Sequence, residues 1–299
     1  MLKEQLTYNT TLQFRVGKKT DIYAAFDQHR IEFSCPANWF NYAHFHNNRS
    51  TGDLLECTFA HIKASSFDEK SILDSHGVQM GDHLIKLERG DSYYLQLLPV
   101  LLIPTFCMFS FNLDEWLSFF RQENKDYSGF EYDLDRYCES MGYSIDDAAY
   151  FVVLKPEVFR EELKHQIPLA VKTAKGQLQS EMYYSTFDPL NPLQDRLVDY
   201  SRYDENNFFN LESLKNDSIF YKKNELSWQS EVRYTIPSVG FINRNYYESS
   251  YDWKKNTLAI DLPQLGDYAQ VFDAKDIKAF SFIEEQKGSF QIRVIGRDS

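Results

Sequence analysis

The chain has 299 residues, 43% hydrophobic and 25% charged, the balance of an ordinary soluble globular protein. Aromatic residues reach 16%, with 24 Phe and 20 Tyr, which suits β-rich structure and excludes a disordered chain. Lys and Arg total 32 against 44 Asp and Glu, and the net charge of −12 is poorly suited to non-specific nucleic-acid binding. Only 12 glycines argue against a glycine-rich cofactor fold. The cysteines Cys35, Cys57, Cys107 and Cys138 form no C-x-x-C pair and read as reduced core thiols of a cytoplasmic protein. Met1 to Leu6 does not read as a signal peptide. The most apolar run, Leu95 to Met108, holds Gln96, Pro99 and Pro104 and is too short and broken to span a membrane.

In chain order, residues 9 to 17 read as a first strand. Leu12, Phe14 and Val16 alternate, which puts Gln13 and Arg15 on the other face. Thr20 and Asp21 are caps for a short helix through Phe26. Residues 30 to 35 form a second strand closed by Pro36, and residues 37 to 53 a polar, aromatic loop rich in Asn. Leu54 to Ala64 is a strand or a short helix, with strand preferred. Residues 66 to 92 read as peripheral strands around glycine turns. Thr105 to Phe111 is the best candidate for a central buried strand. Asn112 or Asp114 starts a helix, and Asp133 to Met141 is weakly helical. Ala149 to Leu154 is a hydrophobic strand. Pro156 suits the first turn of a helix over Glu157 to Gln166. Residues 178 to 187 form an aromatic strand, 206 to 223 a helix with a basic end at Lys222 and Lys223, 243 to 256 a loop, and Leu258 to Leu262 a strand. Residues 276 to 295 form a hairpin in which Phe280 and Phe282 face Phe290, Ile292 and Val294. No repeat or linker divides the chain. A single α+β domain over residues 1–299, on antiparallel or mixed sheets, is expected.

One stretch organises the chemistry. In Ser227-Trp228-Gln229-Ser230-Glu231-Val232-Arg233-Tyr234-Thr235-Ile236-Pro237, Val232, Tyr234 and Ile236 alternate with Arg233 and Thr235, as in a half-buried strand. Positions two apart point to one face, so Gln229 and Glu231 project together where the strand begins. A strand is a rigid mount for a catalytic carboxylate.

An aromatic turn followed by Gln-x-Glu and a hydrophobic strand resembles the catalytic turn of the ADP-ribosyltransferase superfamily, R-S-E type. The other two elements occur in order: Arg15 within Phe14-Arg15-Val16-Gly17, and Ser34 within Phe33-Ser34-Cys35-Pro36, where the family commonly has Ser-Thr-Ser. The chain is also similar to a family of uncharacterised bacterial proteins found near phage-defence and toxin loci. That likeness rests on Ser34-Cys35-Pro36, the Asn41 to Asp53 loop, Cys107-Met108-Phe109-Ser110, and a late Lys222/Lys223…Trp228-x-x-Glu231-x-Arg233. The Asn-Asp-Pro usual in that loop is absent.

The resemblance implies an ADP-ribosyltransferase-like split β-sheet core with peripheral helices, extended by insertions, that uses NAD as substrate. It implies that Glu231 supports the oxocarbenium-like transition state, Gln229 positions the acceptor, Arg15 grips the NAD phosphates, Ser34 supports the ribose, and Trp228 belongs to the acceptor-recognition turn. The expected function is modification of a macromolecule by a cytoplasmic toxin or anti-phage protein, with an antitoxin or regulatory partner and no membrane. The charge favours a protein acceptor over a nucleic acid. An NAD glycohydrolase and a non-catalytic binding or sensor module on the same fold are the alternatives. A metal-dependent nuclease is a weaker one, since Asp53, Glu56 and Lys63 lack the strict spacing. His44, His46, Cys57 and His61 have metal-binding side chains but no standard spacing, and no metal is expected. No Walker A, G-x-G-x-x-G or G-x-S-x-G motif occurs.

Overall fold

The computed structural model describes residues 11–46, 57–63, 65, 84–112, 138, 142–177, 182–184, 188–199, 217–222, 231–237, 239–241, 256–275, 280–286 and 289–294. In chain order the elements are β1 (Thr11–Lys18), α1 (Lys19–Asp27), β2 (Arg30–Phe33), α2 (Pro36–His46), β3 (Thr58–Lys63), β4 (Leu84–Arg89), β5 (Ser92–Leu97), α3 (Leu98–Leu101) and β6 (Thr105–Asn112). Then come β7 (Ala148–Val153), α4 (Pro156–Gln177), β8 (Met182–Tyr184), β9 (Gln194–Leu197), β10 (Glu231–Thr235), β11 (Val239–Phe241), β12 (Leu258–Asp261), α5 (Leu265–Tyr268), β13 (Ala269–Asp273), β14 (Phe280–Gln286) and β15 (Ser289–Val294). Helices are mixed with open sheets, an α+β class. Among the described residues no helix is long and apolar enough to cross a membrane.

The chain divides into two compact units. The first takes Met1–Glu32, Cys107–Val171 and Ala259–Ser299; the second takes Phe33–Phe106 and Lys172–Leu258. The helix expected from Asn112 or Asp114, most of 133–141, most of 206–223, nearly all of 243–256, and Asp53, Glu56, Trp228 and Gln229 lie outside the described residues.

In the first unit β13, β7, β1 and β6 lie side by side, each pair antiparallel. All six residues of β7 are buried, as a continuous apolar run in a strand covered on both faces requires. Phe14 stacks on Phe109 with ring centres 5.2 Å apart and meets Tyr150 edge-on at 5.5 Å. Alternation places Phe14 and Val16 in this core. It also suggests an open second face, yet Gln13 is fully buried. Period two reports which residues share a face, not whether a face is covered.

The helix α1 begins at Lys19 and has Lys18 at its N-cap, with no side-chain capping hydrogen bond. Thr20 and Asp21, expected as caps, lie inside it. The helix is tied to β13 instead: Lys19 Nζ donates to Asp273 Oδ2 at 2.6 Å and Tyr23 Oη to Oδ1 at 3.0 Å. Burial pushes the Asp273 carboxyl up, but these two donors outweigh it and hold it below its usual range. α4 starts at Pro156 as expected and runs on to Gln177, past the expected end at Gln166 and through Pro168. Phe159, Leu163, Ile167 and Val171 recur every fourth residue and are all buried. From the same helix Glu162 takes a hydrogen bond from the Tyr268 hydroxyl and another from the Gln264 N–H at 2.9 Å. Tyr268→Phe removes one donor from this buried carboxylate. It is expected to cost about 1–3 kcal/mol in a urea melt, while Tyr23→Phe at the partly exposed end of α1 costs less. The β14–β15 hairpin has the expected pairing, Phe280 opposite Val294 and Phe282 opposite Ile292, with a register shift between Glu284 and Gln286.

In the second unit β3, β5 and β4 form an antiparallel sheet, β11 pairs with β8, and β10 pairs with β9. A two-residue turn joins β4 to β5, with Gly90 at φ 61°. The loop expected from residue 37 is a helix as far as His46. Pro36 does not just end a strand but opens α2, the position where a missing N–H costs nothing. Asn38, read as turn chemistry, donates its amide to Ser34 Oγ at 2.7 Å and to the Asn256 carbonyl at 3.2 Å. The described part of the expected helix 206–223 is a single 3-10 turn, Asp217–Phe220, running on to Lys222.

Candidate active site

Glu231 is the first residue of β10, and all five residues of that strand are buried. Alternation predicts Arg233 and Thr235 on a solvent face, so this is a correction. Arg233 is 0% exposed. A guanidinium tolerates that only when its N–H groups are satisfied and its charge is paired. Arg233 Nε donates to Glu231 Oε1 at 2.5 Å, and Nη1 donates to the Ile219 carbonyl. The Trp39 ring of α2 lies 5.3 Å from the guanidinium carbon, a cation–π contact. Thr235 Oγ1 donates to the Gln194 carbonyl at 3.2 Å, which satisfies the second inward polar group.

The other oxygen of Glu231 is also taken. Lys222 Nζ donates to Oε2 at 2.8 Å, with both side chains 8% exposed. Burial pushes this carboxyl up, but Arg233 and Lys222 overcome that and bring it down to about 2. Glu231 is therefore ionised at any physiological pH. Backbone bonds fix the frame: Val198 N–H to the Glu231 carbonyl at 2.8 Å, Asp199 N–H to the Phe220 carbonyl at 2.8 Å, and Lys222 N–H to the Asp199 carbonyl at 3.3 Å.

Ser34 belongs to the same unit. Its N–H donates to the Thr105 carbonyl at 3.0 Å, and the Thr105 N–H returns a bond to its carbonyl at 2.6 Å. Its Oγ accepts from Asn38, whose neighbour in sequence, Trp39, lies against Arg233. Arg15 lies in the first unit, half-buried on β1 opposite Phe151. Gln229 and Trp228 fall outside the described residues.

Sequence reasoning gave no role to Lys222, Arg233 or Trp39. The signal for Arg233 lies in the Glu231-x-Arg233 spacing: strand positions 231 and 233 share a face, so opposite charges there meet. Lys222 and Trp39 have no such local signal, since one lies nine residues before Glu231 and the other in a helix far from it in sequence.

Elsewhere in this unit His61 stacks on Tyr94, ring centres 4.4 Å apart and nearly parallel. Burial holds its imidazole below the usual range, with Lys63 adding to this and Asp91 opposing it. A helix through positions 44 and 46 removes the extended geometry a metal pair there would need. Among the described residues no three His, Cys, Asp or Glu side chains converge as metal ligands. Comparison with family models, curated proteins and solved structures finds no match for this chain.

Proposed function

We propose that this chain is an NAD-dependent ADP-ribosyltransferase that modifies a macromolecule, on an ADP-ribosyltransferase-like split-sheet frame. The observation that carries this reading is Glu231, ionised and rigidly held at the start of β10. Breaking the bond to nicotinamide builds positive charge on the ribose. A fixed carboxylate accepting a ribose hydroxyl stabilises that charge more in the transition state than in the ground state. A carboxylate that never takes up a proton at neutral pH is suited to this work and unsuited to donating one. By the resemblance, Arg15 takes the phosphates, Ser34 the ribose side, Gln229 the acceptor and Trp228 its recognition. The net charge of −12 supports a protein acceptor. The setting is a cytoplasmic toxin or anti-phage protein restrained by a regulatory partner.

A second reading has its own observation. Both oxygens of Glu231 are occupied by cations in a buried cluster, which also suits a binding module without turnover. Nicotinamide release from NAD by the full-length protein, with and without cell lysate, separates the two. Release that requires lysate, and that falls about 100-fold or more in folded Glu231→Gln protein, is the expected result. Release without lysate identifies a glycohydrolase. Absence of release under both conditions favours the binding module.

A further inference from the structure

Two cations hold Glu231, and they are built differently. Arg233 is fully buried, donates to a second acceptor at Ile219, and lies against Trp39. Its planar fork is preorganised for one geometry. Lys222 follows the 3-10 turn and keeps some contact with solvent, its side chain being 8% exposed. Its main chain is anchored on Asp199, whereas its ammonium ends a flexible four-carbon stem. Oε1 thus faces a cation with a second acceptor and a ring against it, and Oε2 a cation at the end of a long stem. A neutral hydroxyl that approaches Oε2 meets the ammonium already bonded there, in a cluster where each of the two side chains is only 8% exposed. A buried ammonium does not leave without another anion to receive it.

Resting on the transferase reading above, we infer that Lys222 is a positioning residue that changes partners: it occupies Oε2 of Glu231 in the free protein and moves to a phosphate of the bound dinucleotide as a ribose hydroxyl takes its place. The exchange conserves charge pairing. Lys222 passes from a carboxylate to a phosphate, and Glu231 stays paired with Arg233. An acceptor oxygen beside a displaced ammonium suits a ligand that carries a hydroxyl close to an anion, as the ribose and phosphates of a dinucleotide do. Among the described side chains, the other charged groups on the elements around Glu231 are Asp195 and Arg196 on β9 and Asp199 just beyond it, and Arg196 lies over the Phe220 ring at 5.1 Å. Lys222 and Arg233 are the groups that set the charge state of Glu231.

The test uses ADP-ribose as the probe, titrated calorimetrically into full-length wild type, Lys222→Met and Lys222→Arg, with nicotinamide release from NAD assayed in parallel in the presence of cell lysate. Lys222→Met is expected to bind ADP-ribose about 10-fold or more weakly, and Lys222→Arg within about 3-fold of wild type, because the lost contact is a charge-assisted one. The acid limb of nicotinamide release moves to higher pH in Lys222→Met, since Glu231 has lost one of its two cations. A lysine that only pairs with Glu231 would also move this limb and be replaced by arginine, but its loss would leave the ADP-ribose affinity of the folded variants unchanged. Lys222→Gln, of similar length but uncharged, is read in the same way if the methionine variant does not fold. Wild-type affinity retained in folded Lys222→Met or Lys222→Gln overturns the inference. Wild type that binds ADP-ribose but releases no nicotinamide overturns the transferase reading and leaves the exchange to be judged on binding alone. Wild type that neither binds ADP-ribose nor releases nicotinamide overturns both.

Discussion

Glu231→Ala is expected to lose about 3–5 kcal/mol of folding free energy, read as a lower urea midpoint of the transition that reports β10. The loss does not come from Glu231 alone. Removing it leaves Lys222 and Arg233 buried together without the anion that faced both at 2.8 and 2.5 Å. Two cations that close repel each other in a poorly solvated site. Breaking a buried pair is therefore much more damaging than replacing the whole group with apolar side chains. A double-mutant cycle makes this concrete. Lys222→Met is expected to recover part of what Glu231→Gln loses, because it removes one of the two stranded charges. Strict additivity of the two substitutions would show that the ammonium and the carboxylate are not coupled, and would sink this account of the cluster. The cycle also protects the activity assay. Any loss of nicotinamide release in Glu231→Gln has to be compared at matched folded fraction.

Acid is expected to destabilise the protein between about pH 4.5 and 2 by an amount traceable to the same residue. The ordinary carboxyl value for Glu is 4.5, and in the folded protein Glu231 lies at about 2. A depressed folded value means that the unfolded chain takes up the proton first. The stabilisation is thus fully present above pH 4.5 and is lost as pH falls towards 2. At about 1.4 kcal/mol per pH unit, the loss is on the order of 3 kcal/mol. Asp273 is also held down, by Lys19 and Tyr23, and adds to the slope in the same direction from the other unit. Urea melts across this pH range, compared between wild type, Glu231→Gln and Asp273→Asn, divide the slope between them. A slope unchanged in Glu231→Gln would mean that the carboxylate is not ion-paired in solution.

Much of the framework was legible from periodicity. The strands at 105–112, 148–153 and 231–235 and the closing hairpin lie where alternation or continuous apolarity put them. A short period-two pattern is a local property and survives folding. What escaped depended on residues distant in sequence. Gln13, Arg233 and Thr235 are buried because another layer covers their face, and a strand's own pattern carries no record of that layer. Pro36 has two local meanings, the end of a strand and the start of a helix, and the sequence around it permits both. Lys222 reads locally as the basic end of a helix, yet it closes the pair with Glu231 nine residues later. At the candidate site the anion and the two cations all stand in the Lys222…Glu231-x-Arg233 pattern, while their pairing and the Trp39 ring come from the structure.

The first unit has a consequence for how the protein is made. Its β7 is bordered on one side by β1, already synthesised, and on the other by β13, which begins 116 residues after β7 ends. A ribosome adding about 5–20 residues per second needs roughly 5–25 s to deliver that second neighbour. Over that interval a fully apolar strand waits with one edge unpaired, the kind of surface that recruits other chains. Glu162 waits nearly as long for the hydroxyl of Tyr268, which arrives just ahead of β13. Chains that terminate early, before residue 259, never close this sheet. They are expected to be substrates for chaperones and proteases rather than smaller working versions of the protein.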